Sequence, residues 1–281
     1  MTAPDLSVCI VNYRTGPYLA RCLDALERHR GGIAVETIVV DNASDDGSQE
    51  AARGREGTVL VENPTNVFLS PAWNQAARLA CAPWLLFLNP DTEILHGSLA
   101  DYVALGQASP DSGIIGPMLR AGDGAVYPTG RAFPRIRDAV GHALLGTVRP
   151  ANRFTVRYHL GGWDRRSARD VDWVSGACML MPRAAYDAVG GFDEAFLLYG
   201  EELDVATRLR DAGWKVRYEP SIEVLHVGGV STGRSRRMLR MHSASIYRYY
   251  RKHRAAGWRR LTLPFAWVFL RLRAEVEGFR S

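Results

Sequence analysis

The sequence predicts an α/β protein with a mostly parallel central sheet, helices on both faces and a basic helical extension at the C-terminus. Short apolar runs rich in β-branched residues alternate with segments of helical spacing through residues 6–119. One run, Leu85–Leu88, is apolar without alternation and stops at Asn89-Pro90-Asp91, as expected of a strand buried on both faces. Charge is also segregated. Residues 231–281 hold 13 Lys and Arg against only Glu275 and Glu277, leaving 22 basic and 28 acidic groups in the rest of the chain.

Leu6–Tyr13 reads as the first strand, and Tyr18–Arg28 follows as a helix with Leu19, Cys22, Leu23 and Leu26 on one face. Glu36–Val40 is a second buried strand ending at Asp41-Asn42-Ala43-Ser44; Asp46-Gly47 turns the chain and Ser48–Arg53 makes a helical turn or two. Thr58–Glu62 is a third strand, Pro71–Ala80 the helix that leads into Leu85–Leu88, Gly97–Ala108 another helix and Gly113–Leu119 a further strand. Pro90 cannot donate to a ladder and pushes Asn89 into an extended shape, so Asp91 falls on the turn just beyond the strand.

From Arg120 to Asp170 periodicity is lost among Gly, Pro, Arg and aromatic residues, which is the composition of a functional loop or lid. Val171–Pro182 reads as one small-residue-rich strand, Val205–Ala212 as a helix closed by Gly213, and Lys215–Tyr218 and Glu223–His226 as two short strands. The division that follows is a body over 1–230, in halves of about 1–119 and 120–230, then the extension over 231–281.

Composition narrows the class. At 281 residues and 47% hydrophobic content the chain can bury one large core or two modest ones. Cys9, Cys22, Cys81 and Cys178 lie far apart without a CxxC pair, which predicts reduced, buried thiols and a cytoplasmic location. Met1–Leu6 leads into a strand without basic residues before it, so no signal peptide is expected, and no stretch reaches the roughly 18–20 apolar residues of a spanning helix.

The chemistry-bearing residues gather at expected strand ends. Asp41 and Asn12 offer a carboxylate and an amide suited to a base and ribose, though Asp-Asn-Ala-Ser-Asp-Asp-Gly is also ordinary turn chemistry. Neither G-x-G-x-x-G nor the P-loop motif is present, so a diphosphate held here requires a metal. Asp91 supplies one oxygen ligand, and His226, at a strand end before Gly228-Gly229, is the best second candidate. Glu201, Glu202 and Asp204 cluster in a first helical turn, where the dipole alone favours acids by about 0.3–1 kcal/mol. The Gly200 hinge and the flanking Phe196 and Tyr199 make the same cluster a pocket wall, where a carboxylate acts as general base toward a hydroxyl.

Taken in order, Val11-Asn12-Tyr13, Val39 to Ser44, Asn66 to Asn74, Leu88 to Thr92, Asp172 to Ala177, Gly191 to Glu194, Tyr199 to Asp204 and Leu225-His226 resemble the family 2 glycosyltransferases of the Rossmann-like GT-A fold, in particular their bacterial rhamnosyltransferase-like branch. The resemblance covers residues 6–230 and implies a nucleotide-sugar-binding first half, to about 119, and an acceptor and catalytic second half over 120–230. It implies a nucleotide-sugar donor (dTDP-, UDP- or GDP-linked) bound by Asn12, Tyr13, Asp41, Asn42, Asn66, Asn74, Asn89 and Asp91, with Asn89-Pro90-Asp91 in place of the family's Asp-x-Asp motif. It implies Mg²⁺ or Mn²⁺ on Asp91 and His226, and Trp173, Ser175 and Gly176 lining the sugar and acceptor site. The catalytic pair becomes Glu201 and Glu202, with Glu202 as base. Three departures stand out: Asn89 for the first acid, Glu202 where the family has Asp, and Val67 and Pro71 in place of small or flexible residues. The implied activity is inverting transfer of a sugar, L-rhamnose from dTDP-rhamnose foremost, to a bacterial cell-surface glycan or lipid-linked acceptor. The rivals are a non-catalytic nucleotide-sugar-binding or scaffold protein of this fold, and a nucleotidyltransferase. The latter brings a Gly-rich basic loop after the first strand, for which Arg14-Thr15-Gly16 is too short.

Residues 234–260 interleave Arg, Lys and His with Tyr, Trp and Met, and an apolar stretch interrupted by Pro264 and Arg271 follows. That pattern over 234–273 suits the surface of an anionic membrane, such as the inner face of the cytoplasmic membrane, with the chain lying on it and not through it. The alternatives are a solvated helix pair packed on the body or a homodimer contact. No recognition motif accompanies the charge, so nucleic acid is not expected as a partner.

Overall fold

The computed structural model describes residues 3–133, 152, 156, 160–230 and 235–280. Residues 134–151, 153–155 and 157–159 of the expected lid over Arg120–Asp170, and the junction between body and extension at 231–234, lie outside the described residues.

Ten strands form one sheet: β1 (Leu6–Asn12), β2 (Val35–Asp41), β3 (Thr58–Glu62), β4 (Trp84–Leu88), β5 (Thr92–His96), β6 (Ser112–Arg120), β7 (Val126–Tyr127), β8 (Arg169–Val171), β9 (Cys178–Pro182) and β10 (Lys215–His226). Their order is β3-β2-β1-β4-β9-β6-β10-β5, with β7 on β6 and β8 on β10. The parallel pairing expected from the sequence holds through β3-β2-β1-β4 and between β6 and β10. Elsewhere the sheet is antiparallel, because β9 runs against both β4 and β6 and β5 runs against β10. The sheet is therefore mixed, and β9 is the seam between its two halves.

Three strand assignments change. The single strand expected over Val171–Pro182 is two, β8 and β9, separated by the turn that carries Ser175-Gly176-Ala177. The two short strands expected over Lys215–His226 are one, because the irregularity between Glu219 and Glu223, which contains Pro220, bends β10 without ending it. β5 carries no alternating or continuous apolar pattern and was not expected as a strand.

β4 shows why the site lies where it does. Leu85 and Phe87 join a core with Trp73, Tyr186 and Phe192, while Leu86 and Leu88 join the opposite core with Leu19, Cys22 and Tyr102. The second core lies under α1 (Tyr18–Arg28) and α3 (Leu99–Gln107) and the first under α2 (Leu69–Leu79), so α/β layering buries both faces. α4 (Arg183–Ala188) and α5 (Glu201–Asp211) follow β9. α6 (Arg236–His253), a 3₁₀ turn at Gly257–Thr262 and α7 (Leu263–Arg280) form the extension, which packs on the body through buried Tyr249 and Ser245. Cys9, Cys22 and Cys178 are buried, and that burial pushes each thiol up to about 12; Cys81 is exposed, contrary to expectation. Among the described residues no helix is long and apolar enough to cross a membrane.

Candidate active site

The C-terminal ends of β1 and β2 come into register at Asn12 and Asp41. Asn12 Nδ2 donates to Asp41 Oδ1 at 2.6 Å and to Ser48 Oγ at 2.8 Å, and its Oδ1 accepts from the Thr15 hydroxyl at 2.5 Å. The other Asp41 oxygen accepts from the Ser44 N–H at 2.9 Å. Asn42 Nδ2 donates to the Phe68 carbonyl and Asn66 Oδ1 accepts the Phe68 N–H, so together they hold Phe68 at φ 68°. Tyr13 stands half-buried beside this edge with the Arg14 guanidinium 5.3 Å from its ring centre.

Two of the expected donor-binding side chains have partners within the chain. Both amide hydrogens of Asn74 are used on the Phe192 carbonyl and Glu194, and its oxygen accepts from the Tyr186 hydroxyl and the Phe192 N–H, which fills the side chain. Asn74 holds the turn at Gly191 (φ 73°), where a Cβ would stand 2.6 Å from the Tyr186 hydroxyl. Asn12 is fully buried with both amide hydrogens used, so it clasps β1 to β2 and Ser48 and leaves no amide hydrogen for a ligand.

Beyond β4, Asp91 is buried and Asn89 and His226 are half-buried. Asp91 Oδ2 accepts the Gly228 N–H at 2.9 Å, while Oδ1 faces His226 Nε2 at 3.5 Å. His226 Nε2 is also 3.3 Å from Asn89 Nδ2. The antiparallel β5–β10 ladder fixes this meeting by pairing Thr92 with His226. Two ligands each about 2.1 Å from one ion stand about 3.0–3.4 Å apart, so the carboxylate oxygen and imidazole nitrogen fit a shared divalent cation. Among the described residues no cluster of three or more His, Cys, Asp or Glu accompanies them, so the remaining positions of such an ion fall to phosphate oxygens and water.

The acid pair sits on the first turn of α5. Tyr199 (φ 66°) and Gly200 (φ 82°) are consecutive left-handed residues that swing the chain into this helix. Glu202 Oε2 accepts the Gly200 N–H at 3.1 Å. Glu201 is 5% exposed and its Oε2 has no hydrogen-bond partner. Burial first, and then the charge of Glu202, holds the Glu201 carboxyl well above the usual range. Burial also raises Glu202, opposed in part by its hydrogen bonds and by the Arg131 cation. Half-buried and raised, Glu202 has the properties of a base, and Glu201 those of an acid harder to ionise behind it.

The turn between β8 and β9 joins the two clusters. The Asn89 N–H donates to the Ala177 carbonyl at 2.9 Å, and a methyl at Gly176 would stand 3.7 Å from both Glu201 Oε1 and Glu202 Cβ. The Ser175 N–H donates to Thr129 Oγ1 at 3.0 Å, holding the turn from the other side. Trp173 is buried, gives its indole N–H to the Ala132 carbonyl and carries the Arg131 guanidinium 4.9 Å from its ring centre.

The model of the family described as glycosyl transferase family 2 matches residues 7–158, more than half of the chain. The chain belongs to that family. N-acetylglucosaminyl-diphospho-decaprenol L-rhamnosyltransferase of Mycobacterium tuberculosis is 35% identical over 276 residues, covering 94% of this chain and 88% of the relative. Rhamnosyltransferase WbbL of Escherichia coli is 26% identical over 61% of this chain and 62% of its own length. Two solved structures share the fold: GalNAc-T7 with UDP, GalNAc and Mn²⁺ (TM-score 0.62, 14% identity, 89% of this chain and 51% of that one), and the mannosyltransferase PcManGT of Pyrobaculum calidifontis with GDP-Man and Mn²⁺ (TM-score 0.58, 16% identity, 98% and 74%).

This family 2 glycosyltransferase also uses residues that sequence reasoning missed. Arg131 acts on Glu202 from a segment without periodicity. The Gly228 N–H that fixes Asp91 is a backbone group without a sequence signature. Asp204, fully buried, is gripped at 2.7 Å by each of Arg208 Nε, Lys252 Nζ and His253 Nε2. Arg208 at i+4 was available as a signal; the two α6 residues were not.

Proposed function

We propose that the chain is a metal-assisted, inverting rhamnosyltransferase that moves L-rhamnose from dTDP-rhamnose to a hydroxyl of a lipid-linked glycan acceptor. The observation that carries the transfer chemistry is the joining of the Asp91–His226 pair to Glu202 through the Ser175-Gly176-Ala177 turn. The sugar and the lipid-linked acceptor are supported by the name of the relative that is 35% identical over nearly the whole chain.

Asp91 and His226 would hold Mg²⁺ or Mn²⁺, which when bound neutralises the departing nucleoside diphosphate. Tyr13 and the β1–β2 edge face the nucleoside, and Asn89 the diphosphate. Glu202 takes the proton of the acceptor hydroxyl. The acceptor oxygen bonds to the anomeric carbon as the carbon–oxygen bond to the diphosphate breaks, and the electron pair leaves on the diphosphate oxygen. Attack opposite the leaving group inverts the anomeric centre. Arg131 stabilises the anionic form of Glu202 beforehand, and burial and the Glu202 charge make Glu201 behind it harder to ionise.

The test is release of nucleoside diphosphate from dTDP-, UDP- and GDP-sugars with an undecorated lipid-diphosphate sugar as acceptor, with and without Mn²⁺ or Mg²⁺. Turnover of dTDP-rhamnose that needs the metal, and that Asp91→Asn lowers by at least about 100-fold, is expected. Metal-independent turnover would remove the Asp91–His226 assignment; turnover of another donor alone would replace the sugar.

A further inference from the structure

The extension carries a second surface that sugar transfer does not require. One side of α7 lies on α6, where Ala274 is buried, Phe269 and Leu270 are half-buried, and Arg240 pairs with Glu275 at 2.7 Å. The opposite side is apolar as well. Trp258 (73% exposed), Leu261 (76%), Phe265 (78%), Val268 (54%) and Leu272 (62%) recur every three or four residues along the 3₁₀ turn and α7. These are large side chains left in solvent as one stripe, which scattered surface apolar residues are not.

Cations border the stripe. Arg251, Arg259 and Arg260 are exposed and form no ion pair among the described residues, and no Asp or Glu occurs between Arg236 and Arg273. Arg251, Lys252, His253 and Arg260 line a cleft of about 350 Å³ together with Leu263 at the start of α7. A Trp and Phe stripe edged by arginines, in a segment too short and too charged to cross a bilayer, suits the plane of an anionic interface. A second copy of the chain would bring the same cations face to face with no acids to neutralise them.

We propose that residues 257–273 are a docking edge for an anionic lipid bilayer, with the apolar stripe at the acyl boundary and the arginine cleft taking lipid phosphates. Docking there would orient the active site. α6 reaches the catalytic turn through Lys252 and His253 on Asp204, through the Ser245 hydroxyl donating to the Leu198 carbonyl at 2.8 Å, and through His242 with its ring 5.2 Å from that of Tyr199. The acid pair is thereby tied to the bilayer that would hold a lipid-linked acceptor. The proposal deepens the reading of that acceptor, yet its measurement uses neither donor nor acceptor, so failure of one is distinguishable from failure of the other.

The full chain is sedimented with phosphatidylcholine vesicles with and without phosphatidylglycerol. Binding should require the anionic lipid, weaken in high salt and fall about tenfold or more in both Phe265→Ser/Leu272→Ser and Arg259→Glu/Arg260→Glu. The melting temperature should not move, because these side chains are exposed. Brominated acyl chains should quench tryptophan emission less in Trp258→Phe than in the parent, which reports insertion without a destabilising change. Equal binding to both vesicle types, binding unaffected by the stripe variants, or a dimer in light scattering that Phe265→Ser/Leu272→Ser dissolves would overturn the proposal.

Discussion

The first turn of α5 handles buried acid in two opposite ways. Glu201 and Asp204 lie three residues apart on one helix and both are shut away from water. Asp204 meets three cationic groups. Although burial pushes its carboxyl up, hydrogen bonds from His253 and Lys252 and the Arg208 charge bring it below the usual range. Glu201 has one oxygen without a partner, and burial together with the Glu202 charge pushes it well up. Glu201 is acid that is costly to ionise beside the reacting groups, and Asp204 is acid used as a fastener. Proximity in sequence therefore says little about role; the cations supplied by α6 decide it.

The comparison breaks most visibly at Glu202. Replacing it with Gln should lower kcat by about 10²–10⁴, the range removed with a general base, while leaving the fold intact. In the parent protein kcat/KM should rise with pH through a value above the ordinary glutamate pKa of about 4.3, because burial raises Glu202. An acid limb at or below that value, or a fully active Glu202→Gln, would mean that Glu202 is as structural as Asp204.

Asp204→Asn tests the fastener. It leaves Arg208, Lys252 and His253 crowded without their shared anion. Losing one partner of a buried pair costs about 3–5 kcal/mol; Lys252 is partly exposed and keeps Asp193 at 2.6 Å, so about 2–3 kcal/mol is expected from urea unfolding at neutral pH. The pH dependence has a definite sign. A depressed folded pKa stabilises above the unfolded value of about 3.9, and that contribution is lost as pH falls through the folded pKa. The gap between parent and variant should therefore close below about pH 3.9, and a gap that stays constant with pH would show that Asp204 acts by packing and not by charge.

Much of this arrangement was legible in the sequence where the signal was local. The helix at Tyr18–Arg28 and the strand at Thr58–Glu62 have the bounds expected, because period and punctuation coincide there. Asp91 and His226 were legible as strand-end groups, and the β5–β10 ladder that pairs them needed the tertiary structure. β8 and β9 merged in the sequence reading because the turn between them, Asp172 to Ala177, contains no proline and keeps Trp173 and Val174 in an apolar run. Asn74 looked like a ligand group because its partners, Tyr186 and Phe192, lie more than 100 residues away. The division of labour on α5 was not legible, since Lys252 and His253 reach Asp204 from the extension.

The smallest effect sharpens the contrast from the other side. An acid whose folded pKa is raised binds its proton more tightly when folded, so stability is greatest below the unfolded value and falls as pH rises through the folded one. Glu201→Gln fixes the uncharged state at every pH. The variant should match the parent near pH 4 and exceed it at neutral pH by about 1 kcal/mol, with a flatter stability curve. Part of that gain should vanish in a Glu202→Gln background, because after burial the Glu202 charge is the next cause that raises Glu201. Urea unfolding of the two single variants and the double variant gives this coupling directly. A Glu201→Gln protein less stable than its parent at neutral pH would mean that Glu201 is ionised and partnered like Asp204, and the two acids of α5 would no longer differ in kind.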